Sequence, residues 1–130
     1  MDNRLIEADS QNLIIENVEL FKQIPRVKES WETMFSRCIT RQYRTFFGYE
    51  GDKAVLVVFF STNVKSRKNK IAHICGVFGR KKMQQFIERF YKQLKEEGYT
   101  SITAYSKLPE KTFERITRLK KSYSVYHNKL

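Results

Sequence analysis

Between Lys53 and Ile87 the chain carries eight basic residues and no acid. They fall mainly into two clusters. Lys65, Arg67, Lys68 and Lys70 share the polar stretch TNVKSRKNK, and Arg80, Lys81 and Lys82 follow Gly79 where a helical pattern starts. Cations in the first turn of a helix oppose its dipole, and a bound anion relieves that opposition. Gly79-Arg80-Lys81-Lys82 is therefore a candidate phosphate turn, with a solvated basic turn as the alternative. His73 is the side chain in the acid-free stretch whose ordinary pKa suits proton transfer near neutrality. A lone strand histidine is more often a hydrogen-bonded structural residue, and both roles stay open. Cys38 and Cys75, taken with His73 and His127, lack zinc-ligand spacing, so no metal is expected and both thiols read as small buried groups.

Charge is the strongest compositional signal. The formal net charge is +11, and residues 1–50 hold seven Lys/Arg against eight Asp/Glu while residues 51–130 hold 18 against six. Like charges on a small domain repel, so this asymmetry points to a polyanionic partner: cofactor phosphates, nucleic acid or an acidic protein surface. A merely solubilising surface is the plainer reading. The 130 residues, 41% hydrophobic and 14% aromatic, suffice for one folded domain spanning 1–130. No apolar run approaches the ~20 residues that span a bilayer, so no membrane is expected. MDNRLIEADS lacks the apolar core of a secretory signal, and a cytoplasmic location is expected.

The elements that must position these residues follow from periodicity. Arg4–Ala8 predicts a short strand. Asp9 or Ser10 caps a helix to about Gln23, with Ile14, Val18 and Phe21 on one face. Pro25 opens a second helix to about Gln42, whose stripe is Val27, Trp31, Met34, Phe35, Cys38 and Ile39. Arg44–Glu50 and Ala54–Ser61 form a hairpin around Gly51-Asp52, Thr62–Lys70 reads as an exposed connection, and Ile71–Phe78 is a third strand. Met83, Phe86, Ile87, Phe90, Tyr91 and Leu94 define a long helix over 80–97, stopped by Gly98. Thr100–Tyr105 is a strand, Pro109 opens a helix with Phe113, Ile116 and Leu119 inward, and Tyr123–His127 closes the sheet. The order β-α-α-β-β-β-α-β-α-β predicts an α+β fold with an antiparallel meander, and the crossover after Ile71–Phe78 makes one parallel pair.

This order, with IAHICGVFGRKKMQQFIERFYKQLKEEGYTSITAYS and the C-terminal FERITRLKKSYSVYH, resembles the GNAT superfamily of N-acetyltransferases. Short GNAT-like proteins of tailed phages are the nearest in character. The resemblance implies a mixed, mostly antiparallel sheet flanked by helices, and acetyl-CoA as cofactor. It implies that Val77 and Phe78 end a strand that splays from its neighbour to pair with pantetheine, and that Gly79, Arg80, Lys81 and Lys82 receive the pyrophosphate. The family's loop has two small residues where this chain has Gly79 alone. The family's tyrosine acid falls at Arg118, its asparagine at Ser106-Lys107, and Ser122-Tyr123 replaces its usual Gly-Phe. The implied activity is acetyl transfer to an amine with degenerate catalytic motifs, carried mainly by positioning.

Two other classes fit the charge. A non-catalytic nucleic-acid-associated protein would track phosphates with Lys65, Arg67, Lys68 and Lys70 and stack bases on Tyr43, Phe46, Phe47 and Tyr49. Core packing is the competing role for those four rings. A phage virion or host-takeover protein, in the host cytoplasm or virion, would use the fold as a scaffold for a virion or host partner. The gap between Ile71–Phe78 and Thr100–Tyr105 separates these readings: a splay favours a cofactor, a closed sheet a scaffold.

Overall fold

The computed structural model describes residues 3–24, 29–66, 68–104, 120–122 and 125–129. The fold is organised around the most apolar run in the chain. β3 (Lys53–Ser66) is buried from Ala54 to Phe60, so both its faces are covered there. β2 (Arg44–Glu50) and β4 (Asn69–Gly79) flank it antiparallel, and β1 (Asn3–Glu7) pairs antiparallel with β2. β5 (Ser101–Ala104) lies parallel to β4, and beyond it come β7 (Val125–Lys129) and β6 (Lys120–Ser122). Among the described residues the strand order is β1-β2-β3-β4-β5-β7-β6, with β4/β5 the parallel pair. This is the α+β, mostly antiparallel architecture that the element order predicts.

Helix α4 (Met83–Glu96) provides the crossover and covers one face through Phe86, Ile87, Phe90 and Leu94, all buried. The Phe90 ring meets Phe46 and Phe60 edge-on, at centroid distances of 5.3 and 5.4 Å. The helix stops where glycine permits the left-handed turn. Gly98 has φ 91°, its N–H donates to Lys95 O at 3.1 Å, and the Tyr99 N–H donates to Leu94 O at 3.0 Å, a Schellman closure.

Three short helices cover the other face. The single helix predicted up to Gln23 divides into α1 (Gln11–Glu16) and α2 (Val18–Lys22). Asn17 is the cause: its side-chain amide donates to Leu13 O (2.9 Å) and Tyr49 Oη (3.2 Å), competing with helix continuation. Ser10 caps α1, accepting from the Leu13 N–H at 3.3 Å. α3 (Trp31–Ile39) is capped by Ser30, which accepts from the Thr33 N–H at 3.3 Å. Met34 and Cys38 of its predicted stripe are buried, with Trp31, Phe35 and Ile39 at the margin. Pro25 and Val27 lie outside the described residues, as do Tyr105, the helix predicted from Pro109 to Leu119, and Tyr123.

One prediction is overturned. Thr62–Lys70 is not an open connection but the distal part of the β3/β4 hairpin, with Thr62 opposite Ala72, Asn63 opposite Ile71 and Val64 opposite Lys70. Polar composition signals exposure, not the absence of pairing. The second strand is further tied down at Thr100, whose N–H donates to Lys70 O at 2.8 Å and whose hydroxyl accepts from the Lys70 N–H at 3.2 Å.

Within that hairpin β4 carries a bulge. Phe59 pairs with Gly76 but Phe60 pairs with Ile74, so Cys75 is an extra residue. The Phe59 ring fills the space a side chain at position 76 would need: a Cβ there would lie 2.2 Å from Phe59 Cζ.

Two stability outcomes follow from this packing. Phe90→Ala should lose about 3–5 kcal/mol in urea unfolding, and an unchanged midpoint would remove α4 from the core. Gly76→Ala should lose about 1–3 kcal/mol by overpacking. Adding Phe59→Leu should return part of that loss, which a double-mutant cycle reads directly.

Candidate functional site

The bulge divides β4 into two functional lengths. Up to Ile74 it is paired on both sides, with β3 and, from Ile71 to Ile74, with Ser101–Ala104 of β5. From Gly76 to Gly79 it is paired with β3, and the residues that follow Ala104 lie outside the described ones. His73 lies in the closed length, half-buried, with Nδ1 2.7 Å from Thr103 Oγ1 across the parallel pair. Val77 and Phe78, expected to end the strand, lie in the second length, and the strand runs one residue further, to Gly79.

β4 leads directly into the cationic turn. The Arg80 N–H donates to Val55 O at 2.8 Å, which anchors the turn to β3. Lys82 is the N-cap of α4 in the left-handed region (φ 53°, ψ 29°), an unusual backbone for a lysine. Among the described residues no side chain caps the helix and its first turn holds no acid, so its leading N–H groups have no side-chain acceptor there. The three expected cations are thus at the helix start.

They are not all free to meet a ligand. Glu50, at the end of β2, places Oε1 3.3 Å from Lys81 Nζ and Oε2 3.3 Å from Lys82 Nζ. Hydrogen bonds from Lys81 and then Lys82 hold the Glu50 carboxyl below its ordinary pKa, against an opposing contribution from burial. Sequence reasoning treats the turn as free of acids and misses this residue. The signal is present in the meander: β2 and β4 run in the same direction on either side of β3, so their ends meet at one edge of the sheet.

A second polar cluster lies on the α1–α3 face beside the bulge. The Tyr43 hydroxyl donates to Glu29 Oε1 at 2.6 Å and accepts from Arg37 Nη1 at 3.3 Å, and Arg37 Nε is 3.1 Å from Glu29 Oε2. Burial and then the Glu29 hydrogen bond push the Tyr43 hydroxyl well above its ordinary pKa. Cys75 Sγ is within reach of His73 O (3.4 Å) and Ser61 Oγ (3.9 Å), and burial raises its pKa. Cys38 is buried and pushed up to about 12 by burial, the inert thiol the sequence implies. No sequence pattern joins Glu29, Arg37 and Tyr43; helix α3 and the segments that flank it bring them together.

Of the two roles open to the four rings, core packing holds and a base-stacking surface does not form. Tyr43, Phe46 and Phe47 are core residues and Tyr49 is half-buried, because alternate β2 side chains serve the two apolar faces of the sheet. The basic stretch also divides. Lys65 and Lys68 are exposed, and Arg67 lies outside the described residues. Lys70 is a structural residue, with Nζ 4.3 Å from the Tyr99 ring centroid and 3.5 Å from Glu97 O. Among the described residues no cluster of three metal-ligand side chains occurs, and no helix is long and apolar enough to cross a membrane.

No protein-family model matches the sequence, and no curated protein matches it. Solved structures do. A Bacillus subtilis acetyltransferase in complex with CoA superposes with a TM-score of 0.68 at 9% identity over 99% of each chain. An acetyltransferase of the GNAT family from Streptococcus pneumoniae gives 0.67 at 8% identity, over 99% of this chain and 100% of that one. An acetyltransferase from Thermus thermophilus gives 0.67 at 15% identity, over 100% and 98% respectively. At such identities the likeness speaks for the fold alone, and it does so over nearly the whole chain: this protein has the fold of the GNAT acetyltransferases.

Proposed function

We propose that the protein binds acetyl-CoA along Cys75–Gly79 and at the Gly79–Lys82 turn, and transfers the acetyl group to an amine. The observation that carries this reading is the start of α4 at Lys82, which no described side chain caps and which follows directly on β4. In this reading the end of β4 leads the pantetheine arm into that turn. An uncapped helix start offers N–H groups and a positive dipole end to a pyrophosphate. Arg80, Lys81 and Lys82 add charge of the matching sign. The bound CoA of the Bacillus subtilis structure supports the same use of the fold.

The cofactor supplies an acetyl thioester, already activated toward amines. Transfer forms the amide C–N bond and breaks the thioester C–S bond, with CoA leaving as its thiol, so the chain's own residues have to bind, orient and take up the proton that the amine gives up. His73, its ring held through Nδ1 by Thr103, is the proton acceptor on β4 in this reading. Positioning an uncharged amine against the thioester supplies most of the rate, and no strong acid–base pair is needed. Kinship with the short phage-encoded members rests on the sequence resemblance alone.

The test is thermal unfolding with acetyl-CoA. A ligand at 100 times its Kd stabilises by about 2.7 kcal/mol, which should raise Tm by several degrees for a chain of this size. Lys81→Glu combined with Lys82→Glu should abolish the shift, measured against that variant's own unliganded Tm because the Glu50 pairs are lost too. No shift of the wild-type protein at millimolar acetyl-CoA would overturn the proposal.

A further inference from the structure

We infer that Glu50 sets the affinity of the cationic turn, because its carboxylate occupies Lys81 and Lys82 and a phosphate must displace it. The inference rests on the cofactor-site reading above. Each carboxylate oxygen is committed to one ammonium, at 3.3 Å in both cases. The carboxylate is also the better-held partner. Glu50 closes β2 in register with Asn3 on one side and Lys53 on the other. Its side chain is 16% exposed, while those of Lys81 and Lys82 are 62% and 41% exposed. An anion fixed in the sheet therefore lies beneath two cations that reach toward solvent. A phosphate approaching the turn competes for the same ammonium protons and meets a like charge at short range, which opposes its binding.

Arg80 is different in kind. Its side chain is exposed and makes no ion pair among the described residues, so its charge faces an incoming anion uncompensated. The turn thus has one cation open to a phosphate and two whose charge Glu50 shares. Weaker binding of anions in general is the consequence. A ligand must bring further contacts, along β4 for example, to displace the carboxylate, so Glu50 acts as a selectivity device against simple phosphates.

Calorimetric titration of CoA into four proteins tests this: wild type, Glu50→Gln, Lys81→Gln/Lys82→Gln, and the triple variant. Glu50→Gln should tighten CoA about three- to fivefold at low salt, the scale of one partly exposed ion pair. The gain should shrink as salt is raised and vanish in the Lys81→Gln/Lys82→Gln background. Inorganic pyrophosphate should gain at least as much as CoA, since it lacks the other contacts. Unchanged or weaker CoA binding by Glu50→Gln, with wild type binding normally, would overturn the inference and leave the cofactor site standing. Failure of every protein, wild type included, to bind CoA would remove the cofactor site and this inference together.

Discussion

The contact on which the site depends is the Phe59 ring lying over Gly76. It leaves no room for a side chain at position 76, and it sits at the bulge that makes Cys75 supernumerary. A bulge bends its strand and sharpens the local twist. Just before it, from Ile71 to Ile74, β4 is paired with both β3 and β5. Phe59 is in turn gripped from the opposite side. Its ring stacks on Phe21 of α2 at 5.6 Å and on Tyr43 at 5.7 Å, near-parallel in both cases. The helices that cover this face thus hold the ring that shapes the strand, which couples α1–α3 to the geometry of β4. Packing at this density transmits small displacements, so changes under α2 should be felt at the bulge.

A second constraint closes the far end of the sheet. The Arg44 guanidinium lies over Phe46 and Phe60, at 5.6 and 5.3 Å from their centroids, and reaches carboxylates from two distant segments. Glu7 of β1 accepts at 2.6 and 2.7 Å, Glu97 after α4 pairs at 2.9 Å, and the Tyr99 hydroxyl accepts at 3.2 Å. Tyr99 also meets Thr62 at 2.6 Å. One cation, at the start of β2, therefore joins the first strand, the outgoing hairpin and the end of the crossover helix. Arginine suits this place because its planar fork satisfies several acceptors at once while its faces stay on aromatic rings.

What the sequence makes legible is the part governed by local periodicity. α4 is readable to within a few residues because Phe86, Ile87, Phe90 and Leu94 repeat at helical spacing and Gly98 supplies the left-handed stop. β2 is readable residue for residue. The break at Asn17 is not, because it needs Tyr49 from another strand as an acceptor, and no local pattern records that. The hairpin through Thr62–Lys70 is hidden for a related reason: cross-strand pairing, not composition, decides whether a polar segment is extended or open. At the site, the cationic turn is legible from residues 79–82 alone, and its counter-charge is not, since Glu50 is 31 residues away from Lys81 in the chain.

That last omission bears on how the charge of the whole chain should be understood. The first 50 residues are slightly acidic and the remainder strongly basic, a division that reads in the sequence as two halves of opposite character. In the fold the halves lie side by side in one sheet. β1 and β2 lie beside β3 and β4 in one sheet, so acids of the first half face cations of the second at defined points: Glu50 meets Lys81 and Lys82. Where a cation of the first half is half-buried, as at Arg44, one of its acids comes from the second half, at Glu97. Pairing across the halves thus neutralises charge at places that the strand order brings together. Among the described residues Lys65, Lys68 and Arg80 are exposed cations, the first two on the hairpin and the last beside the helix start. Exposed charge on a folded surface is stabilised by what binds it, and the position of Arg80 after the end of β4 makes the proposed cofactor site a place where that stabilisation would be coupled to function.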